Sequence, residues 1–253
     1  MAAAISPVAL VTGASRGIGR AAAQKLAARG VRVALNYHRN EAAAREALAS
    51  LPGTGHAIFQ ADVSDPAACA ALIDGVVARC GRLDVLVNNA GLFEEHDPRT
   101  VDFATWEKSW RRTMAANLHG PAHLAFLAAQ VMRPRGAGRI VNITSRGAFR
   151  GEPTAPAYGA SKAGLNSFGQ SLSKALAPDK IYVYTIAPGW VDTDMAKDSL
   201  TGPNRAEVLA QHPLGRVATP EEVADTIAWL ALDAPAAMTG AILDLNGASY
   251  LRT

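Results

Sequence analysis

Short apolar runs alternate along the chain with longer segments whose apolar residues recur every three or four positions. Val8–Thr12 is an apolar run ending in a glycine-rich turn, and Ile18–Arg29 has helical spacing closed by Gly30. Val31–Tyr37, His56–Ala61, Val85–Asn88, Arg139–Ile143, Tyr182–Ala187 and Ala241–Leu245 repeat the strand pattern. Between them the spacing predicts helices up to about Leu51 and over Ala67–Cys80, Phe103–Val131, Ala157–Ala177 and Glu221–Leu232. Strands that are apolar throughout, alternating with helices, indicate a parallel sheet covered on both faces. With right-handed crossovers this is a doubly wound, Rossmann-like α/β sheet. No linker, repeat or low-complexity tract interrupts it, so one domain over residues 1–253 is expected. The least regular segments, Leu92–Asp102 and Trp190–Val217, follow strand C-termini, where open α/β sheets bind ligands.

Composition narrows the function classes. A chain of 253 residues buries enough surface to need no disulfide or metal staple. Hydrophobic residues at 49% and charged residues at 19% exclude a disordered chain. The net charge of +3 is spread along the sequence without a run of like charges, which argues against a nucleic-acid partner. No apolar stretch is long enough to span a membrane. MAAAISPVAL lacks the basic region and apolar core of a secretory leader, so a cytoplasmic location is expected. Cys69 and Cys80 fall on one predicted helix, ~16 Å apart by helical rise, too far for a bridge.

The candidate chemistry begins at Thr12-Gly13-Ala14-Ser15-Arg16-Gly17-Ile18-Gly19, directly after the first strand. Glycines at this place let the backbone turn tightly and approach a pyrophosphate at a helix N-terminus. Gly13, Ser15, Arg16, Gly17, Ile18 and Gly19 are therefore candidate cofactor contacts. The second strand ends in Asn36-Tyr37-His38-Arg39. It lacks the acid that NAD-binding folds place there for the ribose, and Arg16 and Arg39 are placed to meet a 2′-phosphate. Tyr158 and Lys162 are four apart and share a helix face, so the ammonium can lower the phenol's pKa. By spacing alone the pair is also compatible with an ordinary helix surface. Ser145 follows the fifth strand outside any Gly-x-Ser-x-Gly context. His119 and His123 lack a third ligand, so no metal is expected. Glu94-Glu95 and Glu221-Glu222 read as solvated residues, and Trp106 with Trp110 as a packing stripe.

Taken together, TGASRGIG, Asn88-Asn89-Ala90-Gly91, Ser145, Tyr158-Gly159-Ala160-Ser161-Lys162 and Pro188-Gly189 resemble the short-chain dehydrogenase/reductase family in order and spacing. Ser145 lies 13 residues before Tyr158, as in that family. Within it the wider sequence is loosely similar to 3-oxoacyl-carrier-protein reductase and glucose-dehydrogenase-like members. The resemblance implies that Tyr158 donates a proton to a substrate carbonyl. Lys162 would tune Tyr158 and hold the nicotinamide ribose, Ser145 would bind the carbonyl oxygen, and Asn117 would support a water in the proton relay. Asp62 and Val63 would flank the adenine, and Asn89, Ala90 and Gly91 would line the cofactor cleft. Val191 and Thr193, after Pro188 and Gly189, would touch the carboxamide and pyrophosphate side. Tyr37 stands where NAD-preferring members carry Asp, which favours NADP over NAD. A homotetramer or homodimer is implied, with apolar residues such as Leu124, Leu127, Leu165 and Phe168 meeting symmetry mates.

The expected activity is thus hydride transfer between NADP(H) and a carbonyl or secondary alcohol. The rivals are an NAD-dependent sugar or polyol dehydrogenase and a non-catalytic nucleotide-sensing regulator. Specificity is expected in Leu92–Asp97, Arg146–Pro156 and Trp190–His212, with Trp190 at the substrate mouth.

Overall fold

A computed structural model describes residues 6–203 and 205–252. The ends of the expected 1–253 domain, including the first five residues read for a leader, lie outside them. Seven strands form one sheet: β1 Val8–Val11, β2 Arg32–Tyr37, β3 Ala57–Gln60, β4 Val85–Asn88, β5 Gly138–Ile143, β6 Ile181–Pro188 and β7 Ile242–Leu245. Their order is β3-β2-β1-β4-β5-β6-β7 and every pairing is parallel. The direction of winding reverses between β1 and β4, which opens a crevice at their C-terminal ends.

The apolar strands bury both faces. Helices α1 (Gly17–Ala28) and α2 (Glu41–Ala49), with a later helix over Pro220–Leu232, cover one face with Ala22, Leu26, Ala47 and Ile227. On the other face, α3 (Pro66–Cys80) contributes Leu72 and Val76 to a second core cluster. Asp65 caps α3 by accepting from the Ala67 N–H, Pro66 opens it, and Gly81 closes it at φ +75°. Cys69 and Cys80 do lie on this one helix and are free.

Phe103–Val131 is not the one regular helix that the periodicity predicts. Helix α4 (Phe103–Met114) passes through a π-helical turn, Ala115–His119, into α5 (Gly120–Met132). Pro121 has no N–H to return to the Asn117 carbonyl four residues earlier, so the regular ladder fails there. A Cβ on Gly120 would collide with the Val63 carbonyl, so the chain packs closely at this turn.

After β5 come the short α6 (Gly147–Arg150) and the long α7 (Pro156–Leu176). The irregular stretch after β6 holds α8 (Lys197–Thr201) and α9 (Arg205–Ala210), and α10 is the Pro220–Leu232 helix. Periodicity cannot register helices of so few residues. Leu124 and Leu165, expected at a subunit interface, are each only 1% exposed and belong to the chain's own interior. Leu127 and Phe168 are half-buried against the second core cluster. No helix among the described residues is long and apolar enough to cross a membrane.

Candidate active site

The glycine-rich turn is locked to the neighbouring strand ends. Thr12 Oγ1 accepts from the Asn89 and Ala90 N–H groups at 2.9 Å each. Asn89 Nδ2 donates back to Thr12 O at 2.8 Å, so this side chain supports the turn. Asn36, which sequence reasoning passed over, accepts from the Gly13 N–H and donates to Ala61 O. Gly13 and Gly17 have φ of +63° and +52°. A Cβ on Gly19 would overlap Gly13 O and Asn89 Nδ2. Arg16, the N-cap of α1, makes no side-chain capping bond. The first N–H groups of α1 therefore remain available to an anion beside a surface without side chains. These features fit the pyrophosphate of a dinucleotide. Ser15 and Ile18 are half-buried in the same turn.

At the crevice rim, Thr193 packs over Gly17, and its hydroxyl donates to Val191 O at 3.3 Å. Pro188 ends β6, and Gly189 is tied to β7 through its N–H to Leu245 O. Asp62 accepts from the N–H and hydroxyl of Ser64. Burial alone would raise its carboxyl, but these bonds, with His38 and Arg39 nearby, hold it below the usual range. Val63 and Tyr37 are buried, while Arg16 and Arg39 are exposed. Arg16 lies 3.6 Å from Asp194.

Asn117, on the π turn, is fully buried and its amide is held by the segment after β4. Its Oδ1 accepts from the Leu92 N–H and its Nδ2 donates to Leu92 O, both at 2.9 Å, and more weakly to Ser161 Oγ. Gly91 fits between Asn117 Oδ1 and Lys162 Nζ. Lys162 is buried on α7 and donates to Ile143 O at 2.9 Å. Its Nζ stands 5.7 Å from the centre of the Tyr158 ring. Ser145 is half-buried at the end of β5 and accepts from the Gly147 N–H at 3.0 Å.

The electrostatics differ from the expected phenol tuned by lysine. Burial pushes Tyr158 up to about 12, the Ser145 hydroxyl opposing and the Glu152 charge adding to this. Burial also draws Lys162 down to about 8. The ammonium sits over the ring with its hydrogen bond directed to the Ile143 carbonyl, and burial of the phenol outweighs its charge here. Tyr158 is protonated at neutral pH, the form a proton donor requires.

Three residues of this neighbourhood carried no usable sequence signal. Phe93 packs edge-on against Tyr158 with ring centroids 5.1 Å apart. His96 is fully buried, with Nδ1 2.8 Å from Glu94 O and Nε2 accepting from the Ala157 N–H. These partners suit the tautomer in which Nδ1 donates to Glu94 O and Nε2 accepts. The ring ties the segment after β4 to the first turn of α7, which carries Tyr158. Glu152 lies against Gly147. Trp106 and Trp110 stack at 5.0 Å, as a packing stripe would. Among the described residues no cluster of three or more metal-ligating side chains occurs.

Comparison with known proteins gives a consistent picture. A family profile described as enoyl-(acyl carrier protein) reductase matches residues 13–247. The chain is 36% identical to the 3-oxoacyl-[acyl-carrier-protein] reductase FabG of Escherichia coli (strain K12) over 244 residues, covering 96% of this chain and 97% of that protein. It is 39% identical to the cis-4-hydroxycyclohexanecarboxylate dehydrogenase of Sinomonas cyclohexanicum over 243 residues, 95% of each. A 3-oxoacyl-[acyl-carrier-protein] reductase of Synechocystis is 37% identical over 250 residues, 98% of each.

Proposed function

The chain belongs to the short-chain dehydrogenase/reductase family of oxidoreductases, and from that premise we propose that it transfers a hydride between NADP(H) and a carbonyl or secondary-alcohol substrate. The observation that carries this reading is the grouping of Tyr158, Lys162, Ser145 and Asn117 beside a glycine turn whose helix N–H groups are uncapped. Two relatives are named for a 3-oxo group to be reduced and a ring hydroxyl to be dehydrogenated. Both names describe the same bond change.

In this reading the nicotinamide cofactor supplies or accepts the hydride. Gly13, Ser15, Gly17, Ile18 and Gly19 hold its pyrophosphate, and Asp62 and Val63 border its adenine. Ala90, Gly91, Pro188, Gly189, Val191 and Thr193 line its cleft, with Asn89 bracing the turn. Lys162 leaves Ile143 O to hold the ribose. Ser145 donates to the substrate oxygen, and Tyr158 gives that oxygen its proton during reduction and takes it back in the reverse direction. Asn117 supports the water that returns a proton to Tyr158. Tyr37 offers no carboxylate to repel a 2′-phosphate, and Arg16 and Arg39 supply charge for it. Two free, buried cysteines support a reducing, cytoplasmic setting.

A panel of carbonyls and alcohols, run with NADPH, NADP, NADH and NAD, tests the reading. Tyr158→Phe keeps the ring and removes the proton, so kcat should fall roughly 10²–10⁴-fold while cofactor binding survives. Turnover by the variant within a small factor of the parent would overturn the assignment.

A further inference from the structure

Arg146 immediately follows Ser145, yet its side chain is only 4% exposed. A buried guanidinium ordinarily has a carboxylate partner, because an uncompensated buried charge is costly. Arg146 lacks one among the described residues. Its Nη2 donates to the neutral amide Oε1 of Gln211 at 2.8 Å, and its Nη1 makes only a long 3.5 Å approach to Ser249 O. Arg150 Nη1 converges on the same Gln211 oxygen at 3.1 Å. Burial draws the Arg146 pKa down to about 10, with Arg150 adding to this and Glu152 opposing it.

The pair adjoins the reacting centre. Arg146 directly follows Ser145, and the Glu152 side chain lies against Gly147 in the same turn. Gly159, next to Tyr158, packs against Gly147 O and Glu152 N. Gln211 comes from the segment that follows β6, and the Arg146 N–H is anchored on Pro188 O at 2.8 Å. Glu152 does not bond either guanidinium, and burial itself pushes its carboxyl up, so the two arginines are left with only the neutral Gln211 oxygen between them.

We propose that Arg146, with Arg150 beside it, is a subsite for a substrate carboxylate, and that the substrates are oxo acids or hydroxy acids. Their single anionic group takes the place of Gln211 Oε1 as the acceptor for both guanidiniums. A carboxylate can accept from arginine in a two-pronged geometry that an amide oxygen cannot. This rests on the hydride-transfer reading above for the chemistry at the other end of the substrate, but not for the binding of the acid.

The test has a binding arm and a turnover arm. Calorimetry with NADP-saturated protein compares alkanoates from butanoate to heptanoate with their amides. Acids should bind more tightly than amides, and Arg146→Met should weaken acid binding roughly 10- to 150-fold. In the turnover arm, methyl keto acids of increasing length are compared with their methyl esters. The parent should favour the acids, and Gln211→Glu, which puts a fixed carboxylate between the arginines, should abolish that preference. The ratio of kcat/KM for acid over ester is the readout, because a folding defect lowers both alike. Arg150→Ala, at an exposed residue, should reduce the ratio in part. The proposal is overturned if acids and amides bind equally, or if Arg146→Met and Gln211→Glu both keep the parent's selectivity. Arg146 is then only a structural tie to Gln211. Acid binding that depends on Arg146 without turnover of any keto compound would refute the hydride-transfer reading and leave this subsite standing. Turnover of esters that needs Tyr158, with no acid preference, would do the reverse.

Discussion

At the scale of single residues, the cofactor's phosphate is where side-chain identity has the most direct consequence. A carboxylate at the end of β2 would bind both ribose hydroxyls and repel a 2′-phosphate, and position 37 is instead a buried tyrosine. Arg39 is exposed and close enough to influence Asp62. Arg16 stands by the glycine turn but is already near Asp194 in an exposed pair that is cheap to open. Each charge-assisted bond to the phosphate contributes ~1.5–3 kcal/mol, so losing one should weaken NADPH roughly 10- to 150-fold. NADH lacks the phosphate and should change little. Because Arg16 must leave Asp194 first, Arg39→Ala should cost more than Arg16→Ala. Tyr37→Asp should weaken NADPH and favour NADH. Dissociation constants for both cofactors in the three variants decide the matter. A parent that prefers NADH, or arginine variants that weaken both cofactors equally, would defeat the NADP reading. The candidate residues themselves were legible because their motifs are local in sequence. The state of Tyr158 was not, because its pKa depends on burial and on Glu152, neither of which spacing reveals.

At the scale of elements, the alternation of apolar runs with helical periodicity predicted all seven strands and the longer helices, because each buries a face of one sheet. It missed the π turn at Ala115–His119, since one extra residue barely disturbs an apolar stripe read over nearly thirty positions. The visible clue was Gly120-Pro121 within a helical pattern. That turn aims the Asn117 amide at the backbone of Leu92. Gly120 is the hinge of this arrangement, because its missing Cβ leaves room for the Val63 carbonyl. Backbone cannot yield as a flexible side chain can, so Gly120→Ala should destabilise the fold by about 1–3 kcal/mol. Turnover should fall as well, through displacement of Asn117. Gly164→Ala is the control, because its Cβ would meet only the end of the Leu118 side chain. Urea denaturation of both variants reads the difference. Equal midpoints for Gly120→Ala and the parent would show that the turn is not held by this contact.

At the scale of the whole molecule, the two core clusters account for most large apolar side chains but leave a few at the surface. The sequence reading placed Leu124 and Leu165 between subunits because the stripes of α5 and α7 look wider than one sheet face requires. Both are instead used up inside the chain, since these helices pack on each other as well as on the sheet. On α4 and α5 the large apolar side chains that stay exposed are Phe126, at 61%, and Phe103, at 78%, while Met195, Leu214 and Leu251 are exposed elsewhere. Phe103 continues into the half-buried Trp106–Trp110 stack along α4. Exposed aromatic side chains of this size are surface that a contact between protein molecules would cover. A homodimer or homotetramer joined through α4 or α5 would cover these side chains, with Phe126 in place of Leu124 as the one to test. Sedimentation at micromolar concentration should then show no stable 26.4 kDa species. Phe126→Glu would bury a charge in that contact and should shift the distribution toward monomer with little change in denaturation midpoint at low protein concentration, since the residue touches solvent in the single chain. A parent protein that sediments as a clean monomer would refute the assembly. An oligomer unaffected by Phe126→Glu would move the interface away from α5.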